Sequence, residues 1–163
     1  MPDDPAIPPG SRRSFLARSA GITAGAAALS ILPRLSLRAA PQAMQELIRK
    51  VVGEAPLRTG KVRLDVPPLV ENGNAVSLIV SVDSPMTPAE HVKAIHIVNE
   101  KNPQPFVISA TIGPRAGRAS LSTRIKLADS QQVVALAEMS DGSFWSVSAD
   151  VVVTIAACVE DIR

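Results

Sequence analysis

The chain has 163 residues, with 17 basic and 15 acidic side chains, two histidines, one cysteine and no tyrosine. Three phenylalanines and one tryptophan supply too few flat π faces for a carbohydrate or nucleobase platform. Residues 1–40 hold five of the basic and two of the acidic groups, so the rest carries 12 basic against 13 acidic, and this near balance argues against a nucleic-acid partner.

Ser11-Arg12-Arg13-Ser14-Phe15-Leu16-Ala17 is a twin-arginine export pattern. Ala20 to Leu32 follows as an apolar stretch of 13 residues, whereas a helix needs roughly 20 to cross a hydrocarbon core of ~30 Å. Arg34 and Arg38 come next, then small residues at Ala39, Ala40 and Ala43 suited to cleavage. Residues 1–40 therefore read as a twin-arginine signal peptide, which places the mature protein in the periplasm without stable membrane insertion. An uncleaved anchor is the competing reading. The twin-arginine route carries folded proteins, so a chain without a cofactor on this route suggests a companion subunit.

Residues 41–157 are long enough for one domain with one core. Met44, Leu47, Ile48, Val51 and Val52 recur at helical spacing and predict a short helix over Gln42–Val52, stopped by Gly53. Alternation broken by Pro, Gly, Asn and Asp then predicts seven strands: Lys61–Val66, Ala75–Asp83, Lys93–Glu100, Pro105–Ile112, Arg118–Leu127, Gln132–Met139 and Phe144–Ala157. Glu71-Asn72-Gly73-Asn74 and Asp141-Gly142 supply turn positions that tolerate positive φ, and Asn102-Pro103 favours an extended turn. Seven short strands at this spacing predict an all-β, immunoglobulin-like β-sandwich, without the cysteine pair of antibody domains.

Residues 158–163 form a C-terminal arm that holds Cys158. Along the last strand, Val147, Ala149, Val151, Val153, Ile155 and Ala157 share one face. Ser148, Asp150, Val152, Thr154, Ala156 and Cys158 share the other, more polar face. An exported lone thiol is open to three roles: a reversible covalent handle, a small buried apolar residue, or half of an intermolecular disulfide.

Other constellations are weak. His91 and His96 are five apart, which on a strand puts them on opposite faces and disfavours joint metal ligation. Met86 and Met139 could join Cys158 and a histidine in a soft copper site, but without the close ligand spacing of such sites. Asp83-Ser84-Pro85-Met86-Thr87-Pro88 reads as a rigid interstrand loop. No Gly-x-Ser-x-Gly or Gly-rich phosphate loop occurs, and no nucleophile–base pair stands out. The sequence predicts no catalytic site, no cofactor and no metal.

Several stretches in order resemble the SoxY family. They are Leu64–Gly73, Val82–Thr87, Asn99–Pro105, Ser122–Ala128 and Ala135–Ser143, and the resemblance spans roughly residues 42–158. Glu71-Asn72-Gly73 and Asp83-Ser84-Pro85-Met86 carry most of its specificity. The resemblance implies a periplasmic, non-enzymatic sulfur carrier of the Sox system, with an immunoglobulin-like fold. It also implies a SoxZ-like subunit as heterodimer partner, and Cys158 as the covalent attachment point for sulfur intermediates that partner enzymes process. The family arm reads Gly-Gly-Cys-Gly-Gly. Here Ala156 and Ala157 precede the cysteine and Val159 and Glu160 follow it, similar to SoxY-related proteins whose arm reads Ala-Ala-Cys-Ile-Glu. Alanine and the β-branched valine stiffen the backbone relative to glycine. Glu160 and Asp161 disfavour the thiolate and repel anionic substrates, an effect that salt weakens. The alternative is a non-carrier module that recruits or stabilises a periplasmic redox enzyme.

Overall fold

The computed structural model describes residues 39–157. Most of the signal-peptide reading, and Cys158 with the rest of the arm, lie outside them.

Helix α1 (Ala39–Val52) begins three residues before the predicted Gln42. Met44, Leu47, Ile48 and Val51 form its apolar stripe. Gly53 ends it as predicted, at φ +64°, where its N–H donates to the Arg49 carbonyl at 2.8 Å. Arg49 and Lys50 sit in the last turn, where cations complement the helix dipole.

Nine strands follow: β1 (Leu57–Arg58), β2 (Val62–Asp65), β3 (Leu69–Asn72), β4 (Val76–Val82), β5 (Val92–Asn99), β6 (Phe106–Thr111), β7 (Ser120–Ile125), β8 (Gln131–Met139) and β9 (Phe144–Ile155). All seven predicted strands are present, with ends within two residues of the prediction. The additions are β1, whose two residues are too short to carry a period, and β3, whose four residues include no buried one to alternate. Both pair parallel to β9, β1 at Phe144–Trp145 and β3 at Val152–Ile155. Between them the chain crosses to the other sheet as β2.

One sheet runs β1–β9–β8–β5–β6 with β3 also on β9, and the other runs β2–β4–β7. This is the immunoglobulin-like sandwich that the strand spacing predicted. The smaller sheet turns Val76, Leu78, Val80 and Val82 inward from β4, while Ser77 and Ile79 face out. They belong to one core with Ile95 and Ile97 of β5, Val133, Ala135 and Ala137 of β8, and Val151 of β9.

Strands β5 and β8 are covered on both faces, so they read as apolar runs rather than clean alternation. Val98, Val134 and Leu136 on the outer face form a second core under α1. Met86 and Met139 are both buried in the inter-sheet core, so the Asp83–Pro88 loop is anchored by Met86. Met86 adopts φ 51°, a left-handed conformation uncommon for a side chain of this size. Burial of both sulfurs removes them as partners for a surface metal.

The histidines stay apart. His91 donates from Nδ1 to the Thr87 carbonyl at 3.1 Å. His96 shares a hydrogen bond between its Nδ1 and the Ser109 hydroxyl at 2.9 Å, in register with Leu136. Burial holds its pKa below the ordinary histidine value, partly opposed by the Glu138 carboxylate. Because the unfolded chain then binds the proton more readily, stability falls as pH drops below about 6.5. Urea midpoints should decline from pH 7.5 to pH 5.5, and His96→Gln should flatten that decline; an equal slope in both would exclude His96 as its source.

Candidate functional site: the seat of the C-terminal segment

The last described residues carry the most informative geometry, because Cys158 follows Ala157 directly. Odd residues of β9 turn inward as predicted: Val151 is buried and Val147, Ala149 and Val153 are half-buried. Ala157 is buried as well, whereas Ser148, Asp150, Val152, Thr154 and Ala156 are exposed. Ile155 departs from the prediction. It pairs with exposed Asn72 at the end of β3 and is 64% exposed.

Hydrogen bonds hold the end of this strand beyond the sheet ladder. The Val153 N–H donates to Ser130 Oγ at 2.9 Å, and that hydroxyl donates back to the Val153 carbonyl at 3.4 Å. The Thr154 hydroxyl donates between the carbonyls of Val70 and Glu71, at 3.1 and 3.2 Å. Ala157 N–H then donates to the Leu127 carbonyl at 2.9 Å, two residues past the end of β9. Each such bond contributes about 1 kcal/mol net.

The partners of this strand end are themselves fixed. Leu127 is fully buried, and its N–H donates to the Gly73 carbonyl at 2.9 Å. Gly73 opens a short 3-10 turn (Gly73–Ala75), which the Asn72 side chain caps by accepting from the Asn74 N–H at 2.9 Å. A side chain at Gly73 would collide with the Leu127 carbonyl oxygen. Its Cβ would also lie 2.9 Å from Ala157 N and 3.0 Å from Val153 Cγ1. Only glycine permits this close approach.

On the other side, Asn102 staples the loop around Leu127. Its Oδ1 accepts from Ala128 N–H at 3.0 Å and Gln131 Nε2 at 2.8 Å, and its Nδ2 donates to the Lys126 carbonyl at 2.9 Å. Gln131, 4% exposed, accepts from Lys101 N–H at 2.8 Å. Asp129 accepts from Ser130 N–H at 2.6 Å and pairs with Lys101 at 3.2 Å. Its carboxyl is held below the usual range, first by the Lys101 hydrogen bond, then by the Ser130 N–H, then by the Lys101 charge.

Three sequence stretches singled out as motifs thus meet at one place: Glu71-Asn72-Gly73, Asn99–Pro105 and Ser122–Ala128. Reading the first two as turns and the third as part of a strand missed this convergence. The signal was present in Asn102 and Gln131, amides with partners 24 to 30 residues away, at a range that local patterning does not reach.

Beside the seat the surface is apolar. Leu69 and Val152 are direct cross-strand partners, 62% and 51% exposed. Among the described residues, no group of three or more histidine, cysteine, aspartate or glutamate side chains is placed to hold a metal ion. Among them also, no helix is long and apolar enough to cross a membrane.

The fold is shared with proteins of differing chemistry. The sulfur carrier protein SoxY from Chlorobium limicola f thiosulfatophilum superposes with a TM-score of 0.59 at 23% identity, covering 70% of this chain and 98% of its own. A superoxide reductase (neelaredoxin) from Ignicoccus hospitalis gives 0.53 at 16% identity over 60% and 94%. The superoxide reductase from Nanoarchaeum equitans gives 0.50 at 10% identity over 59% and 100%. At these identities the likenesses concern the fold alone. No curated protein is significantly similar to the chain. The family model for sulfur oxidation protein SoxY matches residues 48–158, about two thirds of the chain, from α1 through the seat to the cysteine. The chain belongs to the SoxY family.

Proposed function

We propose that this protein is a periplasmic carrier that binds sulfur-compound intermediates covalently through Cys158 and presents them to partner enzymes of sulfur oxidation. In this reading residues 1–40 are a twin-arginine signal peptide, residues 41–157 are the carrier body, and residues 158–163 are the arm. A SoxZ-like subunit completes a heterodimer. The observation that carries the reading is that the family match runs through residue 158, where the chain's only thiol stands.

The chemistry fits a carrier without a catalytic centre of its own. Joining a thiolate to the sulfane sulfur of a thiosulfate-type anion forms one S–S bond and releases two electrons, which a partner oxidoreductase must take. A thiolate reacts faster than a thiol, so Glu160 and Asp161 would slow attachment in free solution and make it depend on a partner that neutralises them.

The exposed Leu69–Val152 pair also suits the second reading, a non-carrier module that recruits or stabilises a redox enzyme. Alkylation separates the two. In the folded mature protein, iodoacetamide should modify Cys158 within about tenfold of the rate for an unstructured thiol at the same pH, after allowing for its thiolate fraction. Modification only after unfolding would favour the module.

A further inference from the structure

We propose that α1 is a cover that acid releases: protonation of His96 places a positive charge on the sheet face that α1 packs against, and the helix lifts from Val98, Val134 and Leu136. The inference goes beyond the carrier reading and stands without it.

The cover is lightly held. Met44, Leu47, Ile48 and Val51 pack on Val98, Val134 and Leu136, and among the described residues no hydrogen bond or ion pair joins α1 to a strand. A helix of 14 residues is marginal on its own, so its order depends on this apolar contact. Gly53, at φ +64° and with open space where a side chain would stand, links it to the sandwich.

His96 lies on the covered face, directly across from Leu136 of β8 on one side and Ser109 of β6 on the other. Ser109 engages its Nδ1 at 2.9 Å, but its Nε2 is buried with no hydrogen-bond partner. A neutral ring can leave that nitrogen unpaired at modest cost. An imidazolium must carry an N–H and part of its charge there, with no acceptor in reach.

Few charges surround the ring. β8 contributes Glu138, already paired with Lys93 of β5, and β6 carries no titratable side chain. Glu46, Arg49 and Lys50 of α1 are all exposed. Glu138 favours the imidazolium, but burial outweighs it. Lifting α1 gives the ring to water, where its pKa returns toward about 6.5. The open form therefore binds the proton better, and falling pH shifts the population toward it.

Amide hydrogen exchange at pH 7.5 and pH 5.5, corrected for intrinsic rates, tests this on the purified protein. From the higher to the lower pH, protection at Leu47, Ile48 and Val51 should fall by about tenfold or more, while Leu78 and Val80 of β4 keep theirs. Fluorescence of 1-anilinonaphthalene-8-sulfonate should rise over the same range as the apolar face opens. His96→Gln, polar but without a titration, should keep α1 protected at both pH values and silence the dye response. Should that variant fail to fold, His96→Phe serves in its place with the same expectation. Unchanged protection of α1 in the wild type, an equal loss in β4, or a loss that persists without His96 would each overturn the proposal.

Discussion

Cys158→Ala should leave the mature protein folded, with a melting temperature within a few degrees of wild type, while abolishing covalent uptake of sulfur intermediates. The chain has no second thiol to substitute, so the loss should be complete and not graded. Partner-dependent thiosulfate oxidation reconstituted with the variant should fall by at least a hundredfold, which corresponds to about 2.7 kcal/mol in the overall barrier. The fold should not depend on this residue, because the hydrogen bonds that hold the end of β9 are made by Val153, Thr154 and Ala157. Circular dichroism and a thermal scan check the first half, and mass spectrometry of the reacted protein checks the second. Retained pathway activity in Cys158→Ala would remove the carrier role altogether.

Leu78→Ala should have the largest effect on stability, lowering the unfolding free energy by about 2–5 kcal/mol. Leu78 is fully buried on β4, the central strand of the smaller sheet, and belongs to the core cluster that also holds residues of β5, β8 and β9. Truncation there leaves a cavity between the sheets that a close-packed interior closes only in part. Urea unfolding followed through the single tryptophan reads the change. Trp145 lies at the β1–β9 pairing, with the Arg58 guanidinium 5.8 Å and the Lys61 ammonium 5.3 Å from its ring centroid. A loss below 1 kcal/mol would mean that the two sheets do not share the core described above.

The sandwich was legible in the chain because its strands bury one face each, or are bounded by turn residues where both faces are buried. β4 shows this in its Val76, Leu78, Val80, Val82 alternation. β8 hid its environment, since Val134 and Leu136 face α1 while Val133, Ala135 and Ala137 face the other sheet. β1 was invisible because two residues carry no period, and β3 because none of its four residues is buried; the place of both is set by pairing with β9. The candidate site was legible as a lone thiol and as a set of motifs, but not as one place. Gly73, Asn102, Leu127 and Ala157 meet through tertiary hydrogen bonds and one close backbone approach. The exposure of Ile155 was hidden for a related reason, since alternation assigns a face without telling where the opposite sheet ends.

The most direct single measurement is the intact mass of the protein purified from its native cells, before and after reduction. A carrier should show a reducible mass addition of sulfur or sulfur-oxyanion composition, confined to the peptide that contains Cys158. An unmodified mass, unchanged after exposure to thiosulfate with an oxidising partner, would contradict the carrier reading.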